Sequence, residues 1–196
     1  MYKILLTILT ALTLHPVWAG SFEDAQVAVQ REDYKTAFAI LEPLAINGNT
    51  NAQGTLAFFY NAGWGVPQNH NEAAKWYRLA ALQGHNGARI QLGSLYANGQ
   101  GVVQDYAEAG KWFRLAAKEN VNKAQFNLGV LYSLGKGVLQ DYVKAHMWFN
   151  LSAINNNQDA VKARDDLAEL FLTKEQLAEA QKLARDCLAR NFKGCD

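Results

Sequence analysis

The chain has 196 residues, 49% of them hydrophobic, with 19 Lys and Arg against 18 Asp and Glu. That balance leaves no basic field to hold phosphates, which argues against nucleic acid as a partner. With only three prolines, the chain is long enough to build one continuous core, and its composition predicts a single elongated helical domain.

Residues 1–19 read as a secretory signal peptide cleaved near Ala19. Lys3 supplies the positive charge, Ile4 to Leu14 form an apolar run interrupted only by threonines, and His15-Pro16 break it before the small residues around Ala19. A membrane anchor is the alternative, but the run falls short of the about 20 apolar residues that a spanning helix needs. No cysteine follows the run to accept a lipid. The expectation is an exported protein, periplasmic or secreted, with no membrane span after cleavage.

Residues 20–51 predict a degenerate opening unit, with helical character from Phe22 to Ile46 and a short internal turn. Over residues 52–157 three units repeat at a period of 36: Trp76, Trp112 and Trp148 share one column, Tyr60, Tyr96 and Tyr132 another, and Gly65-Val66, Gly101-Val102 and Gly137-Val138 a third. A fixed period of this length is the signature of a solenoid, in which each unit buries its apolar face only by stacking on its neighbours. In the middle unit, apolar or small residues at 88, 92, 95 and 96 predict a first helix ending near Asn98. Gly99, Gly101 and Val102 interrupt the pattern, and Asp105 with Glu108 offers a capping arrangement for a second helix from Tyr106 to Lys118. Its Ala109, Trp112, Phe113, Ala116 and Ala117 form the packing stripe.

Residues 158–196 predict capping helices and a tail. Ala160, Val161, Ala163, Leu167 and Leu170 suggest one helix. Thr173 with Gln176 is a capping box opening another, whose Leu177, Ala180, Leu183, Ala184, Cys187 and Leu188 share a face. Charges at Lys174, Glu175, Glu179, Lys182, Arg185 and Asp186 fit the wet outer surface that a terminal unit needs.

The run Leu92 to Ala117, L-G-x-x-Y-x-x-G-x-G-V-x-x-D-Y-x-x-A-x-x-W-F-x-x-A-A, resembles the Sel-one-like repeat, a longer-loop relative of the tetratricopeptide repeat. The resemblance implies an all-α fold, a right-handed solenoid of antiparallel helix pairs, used mainly to hold other proteins. It implies no shared catalytic residues and no cofactor.

If the first helices line the concave side of such a superhelix, helical arithmetic points a strip of residues away from the core. Phe58, Asn61, Ile90, Ser94, Asn98, Phe126, Val130 and Leu134 lie on that strip, suited to an extended peptide or a docking helix. The competing reading is that Phe58, Ile90 and Phe126 pack against adjacent repeats. Cys187 and Cys195 are the only cysteines, and an exported chain favours pairing them. A redox pair, a metal site or a bridge to another chain are the rival readings, although no C-x-x-C or neighbouring histidine cluster accompanies them.

Ser133 and Lys136 have the S-x-x-K spacing of penicillin-recognising enzymes. Glycine lies between them in a repeat turn and no S-D-N or K-T-G partner occurs, so coincidence is the better reading. His70 and His85 fall at helix ends and His146 on a second helix among core positions, none as an expected metal ligand. The leading expectation is a non-enzymatic adaptor that binds a protein or peptide partner; a module controlling secretion or stress signalling differs from it only in the partner. The alternative from another class is a cell-envelope hydrolase or a penicillin-binding or β-lactamase-like activity.

Overall fold

The computed structural model describes residues 20–154 and 156–195. The expected signal peptide at 1–19 lies outside them. Within the described residues the fold is all-α, ten helices and no strand: α1 (Phe22–Gln30), α2 (Tyr34–Ile46), α3 (Thr50–Ala62), α4 (His70–Leu82), α5 (Asn86–Asn98), α6 (Tyr106–Ala117), α7 (Asn122–Leu134), α8 (Tyr142–Ile154), α9 (Gln158–Phe171) and α10 (Lys174–Ala189). Each helix from α1 to α8 packs on the next, which makes a solenoid of helix pairs. The last step differs, because α10 packs back on α8.

Local chemistry sets these boundaries. Asn49, His85 and Asn157 cap α3, α5 and α9, each accepting from the backbone N–H three residues on; Asp105 accepts from Ala107 and Glu108 at the start of α6. Thr173 and Gln176 complete the reciprocal capping box of α10. The first helix of each full repeat stops at a glycine in the left-handed region, Gly63, Gly99 or Gly135. A seven-residue loop then follows, pinned by a glutamine: the side-chain amides of Gln68, Gln104 and Gln140 donate to the carbonyls of Asn61, Ala97 and Ser133 at 2.8 Å.

The second glycine of each loop locks one repeat onto the previous one. Gly101 has φ +68°, and a Cβ there would stand 2.2 Å from the carbonyl carbon of His70 at the start of α4. Gly65 and Gly137 stand in the same way against Tyr34 and Tyr106. Packing follows the expected columns: Ala88, Leu92 and Leu95 are buried, as are Ala109, Trp112, Phe113, Ala116 and Ala117. Gly93 and Gly129 bring α5 and α7 against the rings of Phe113 and Phe149, leaving no room for a side chain. On α9, Leu167 is buried while Leu170 is 68% exposed.

One column was not legible as structural. Gln53, Arg89 and Gln125 stand 36 residues apart, and each donates from its side chain to a carbonyl in the last turn of the preceding helix, that of Ala45, Ala81 or Ala117. These carbonyls already accept from the N–H of Gly48, Gly84 or Asn120 in the helix-end turn, so the column adds a second bond to each across the repeat boundary.

At the C-terminus a disulfide joins Cys187 to Cys195, with Cα atoms 5.2 Å apart. Both sulfurs belong to buried residues of the last core cluster, which Phe192 and Leu183 flank. The bridge folds the tail back onto α10.

Candidate functional site

The odd-numbered helices present one face, and shallow grooves run between successive members of it. Between α3 and α5 the groove is lined by Thr55, Phe58, Tyr77, His85 and Gln91. The next, between α5 and α7, holds Ser94, Asn98, Asn127, Val130 and Leu134. The last, between α7 and α9, has a volume of about 430 Å3 and is mostly apolar, with Val130, Leu134, Phe149, Leu167 and Phe171. Leu134 lines both of the last two grooves and is 55% exposed.

The residues expected on this strip differ in exposure along the face. Phe58 is 36% exposed, its ring edge-on to Trp64 with centroids 4.9 Å apart. Ser94, Asn98, Val130 and Leu134 come together in one groove. Ile90 does not join them: it is only 7% exposed and belongs to the core cluster of the following repeat, with Phe113 and Leu131. Its place in the strip is corrected accordingly, because helix stacking covers a residue that an isolated helix would leave bare. Phe126 is half-buried against the same cluster, 5.5 Å from Phe149 between ring centroids. Asn61 is occupied by its own repeat, its side-chain oxygen 3.0 Å from Nδ1 of His70 and its carbonyl accepting from Gln68.

The polar groups of the face are largely tied down. His85 Nδ1 accepts from the Ala88 N–H, so this ring is a helix cap. The Tyr77 hydroxyl is buried without a hydrogen-bond partner, and burial pushes its pKa up. Ser94 donates to the Ile90 carbonyl at 3.0 Å. Side chains so held give a groove a fixed shape.

The Ser133 and Lys136 side chains are each engaged with other partners. Ser133 Oγ donates to the Val130 carbonyl at 3.0 Å, while Lys136 Nζ sits 4.9 Å from the centre of the Tyr106 ring. A hydroxyl bonded back to its own helix, beside a lysine held on an aromatic face, is not the activated pair that nucleophilic catalysis requires. Among the described residues, no group of three or more His, Cys, Asp or Glu is placed to hold a metal ion. No described helix is long and apolar enough to cross a membrane.

Comparison with known proteins agrees with this architecture. A family model described as Sel1 repeat matches residues 51–85, 87–121 and 122–157. Among solved structures, a Sel1 repeat protein from Oxalobacter formigenes superposes with a TM-score of 0.73 at 26% identity, over 88% of this chain and 78% of that one. A second, c5321, a protective antigen of uropathogenic Escherichia coli strains with an SLR fold, gives a TM-score of 0.61 at 28% identity, over 81% of this chain and 42% of the antigen. The chain thus spans less than half of that protein. No curated protein matches it.

Proposed function

Because this chain belongs to the Sel1 repeat family, whose fold is typical of protein-interaction scaffolds and generally non-catalytic, we propose that it is an exported adaptor holding a protein or peptide along the face of α3, α5 and α7. The observation that carries this reading is the run of grooves between those helices, with Phe58 and Leu134 exposed on it and Ser94, Asn98 and Asn127 beside them. Apolar side chains of a partner would enter the grooves, and Asn98 and Asn127 would meet its backbone. Ile90 and Phe126 support the floor instead of touching the partner, and Asn61 shapes the loop above it. Export rests on the sequence of residues 1–19, and the disulfide is compatible with it.

Leu134→Asp is the discriminating variant, because Leu134 borders two grooves and stands outside the core. In affinity capture from cell-envelope extract, the parent should retain a partner that the variant loses while its circular dichroism stays unchanged. Equal capture by both chains would place binding elsewhere. Acylation of Ser133 by a labelled penicillin would replace the adaptor reading with an enzymatic one.

A further inference from the structure

The repeats supply their own control for what a structural residue looks like at each column, and the last unit departs from it in one place. The helix α9 begins 36 residues after α7, so it stands in first-helix register. The buried column Leu56, Leu92, Leu128 continues as Arg164. The tyrosine column Tyr60, Tyr96, Tyr132 continues as Ala168, and the arginines that reach those tyrosines, Arg78 to Tyr96 and Arg114 to Tyr132, are followed by Asn150. On α8, His146 replaces the buried Ala74 and Gly110 of earlier units. Ending a solenoid calls for polar residues on its outer surface. It does not call for them at columns that point back onto α8.

These departures meet. Removal of the Tyr–Arg pair leaves a crevice of about 400 Å3 between α8, α9 and α10, and α10 adds Gln181 and Arg185 to its wall. Arg164 is held across it in an ion pair with Asp165, from Nε and Nη2 at 2.8 Å each, and donates from Nη1 to Asn150 at 3.4 Å. The Arg185 guanidinium has no hydrogen-bond or ion-pair partner among the described residues. His146 is 97% enclosed, being 3% exposed, and its Nδ1 has no partner. The lining therefore offers two guanidinium groups, an imidazole and two side-chain amides against a single carboxylate.

We propose that this crevice binds a small oxyanion, a carboxylate or phosphate group, with Arg185 as its ion-pairing residue, Arg164 in its wall already paired with Asp165, and His146 at its floor. A guanidinium group matches both anions with paired N–H donors, and Arg185 is free of protein partners to turn them on a ligand oxygen. Asp165 keeps Arg164 in position and excludes a second anionic group from that side. The crevice shares no lining residue with the grooves of the odd-numbered face, so it stands or falls independently of the adaptor reading.

Nitrogen-resolved NMR titration of the purified protein with succinate, with inorganic phosphate and with neutral succinamide tests this. Expected are saturable shifts at the side chains of Arg185 and His146 with at least one anion and none with succinamide. Tighter saturation by phosphate assigns the site to phosphate groups, and tighter saturation by succinate assigns it to carboxylates. Arg185→Ala, on an exposed position, should weaken binding at least tenfold, and Ala168→Tyr, which restores the repeat residue, should fill the crevice and abolish it with the helical spectrum intact. An absence of saturation by both anions, an equal response to succinamide, or unchanged affinity in a folded Arg185→Ala chain would overturn the proposal.

Discussion

A methyl group on Gly101 would meet the backbone of His70 in the preceding repeat, whereas one on Gly48 would meet nothing within 4 Å, although both have positive φ. The pair separates conformational cost from stacking cost. Gly48→Ala should lose about 1 kcal/mol from the left-handed backbone alone. Gly101→Ala should lose more than about 2 kcal/mol, since neither backbone can yield without shifting a repeat, and urea denaturation of both variants measures the difference. His146 has a different signature. Burial, reinforced by Arg164 and opposed by Asp165, holds its imidazole below the ordinary 6.5, so it stays neutral in the fold where the unfolded chain takes up a proton. Its contribution to stability is whole above pH 6.5 and is lost as pH falls from there through the lower folded value. His146→Gln should flatten that part of the pH dependence, which urea melts of both chains at about pH 7.5 and about pH 5 would show.

At the scale of single elements, α10 depends on its tail more than the other helices depend on theirs. Among the described residues no later helix covers it, its buried residues are Ala180, Ala184 and Cys187, and it packs on α8. Closing the short Cys187–Cys195 loop is worth about 2.5 kcal/mol in the chain-entropy model. Reduction should therefore accelerate amide exchange in α10 while α3 to α7 keep their protection, which hydrogen exchange with and without reductant resolves by segment. Uniform acceleration along the chain would mean that the stack melts as one unit and that the bridge serves all of it.

For the whole molecule, the grooves proposed for a partner lie on a surface that no single repeat owns. Each groove of the odd-numbered face needs two helices from adjacent units, and Leu134 serves two grooves at once. Phe126→Asp would put a charge into the cluster around Phe149 and should cost about 3 kcal/mol. Leu134→Asp should leave the melting temperature nearly unchanged, so thermal melts of the two variants distinguish floor from surface. Helix positions, caps and the packing stripe of this molecule could be read from residues alone. The cap at Asp105, the box at Thr173 and the columns of alanine and tryptophan act within one or two turns, and the 36-residue period repeats them until no other reading fits.

What lay beyond the sequence was decided between repeats. Ile90 and Phe58 both point away from the core of their own helix, yet the next repeat covers the first and leaves the second open. The partners of Gln53, Arg89 and Gln125 lie across a repeat boundary, and the backbone that excludes a side chain at Gly101 belongs to a different helix pair. His146, Arg164 and Arg185 are scattered along the sequence and meet only because α10 turns back onto α8. Periodicity and capping are local properties, and the amino-acid sequence by itself determined that this protein is a helical repeat. Exposure and convergence depend on which surfaces the stacked helices cover, so only the tertiary structure decided which residues stay exposed and which meet.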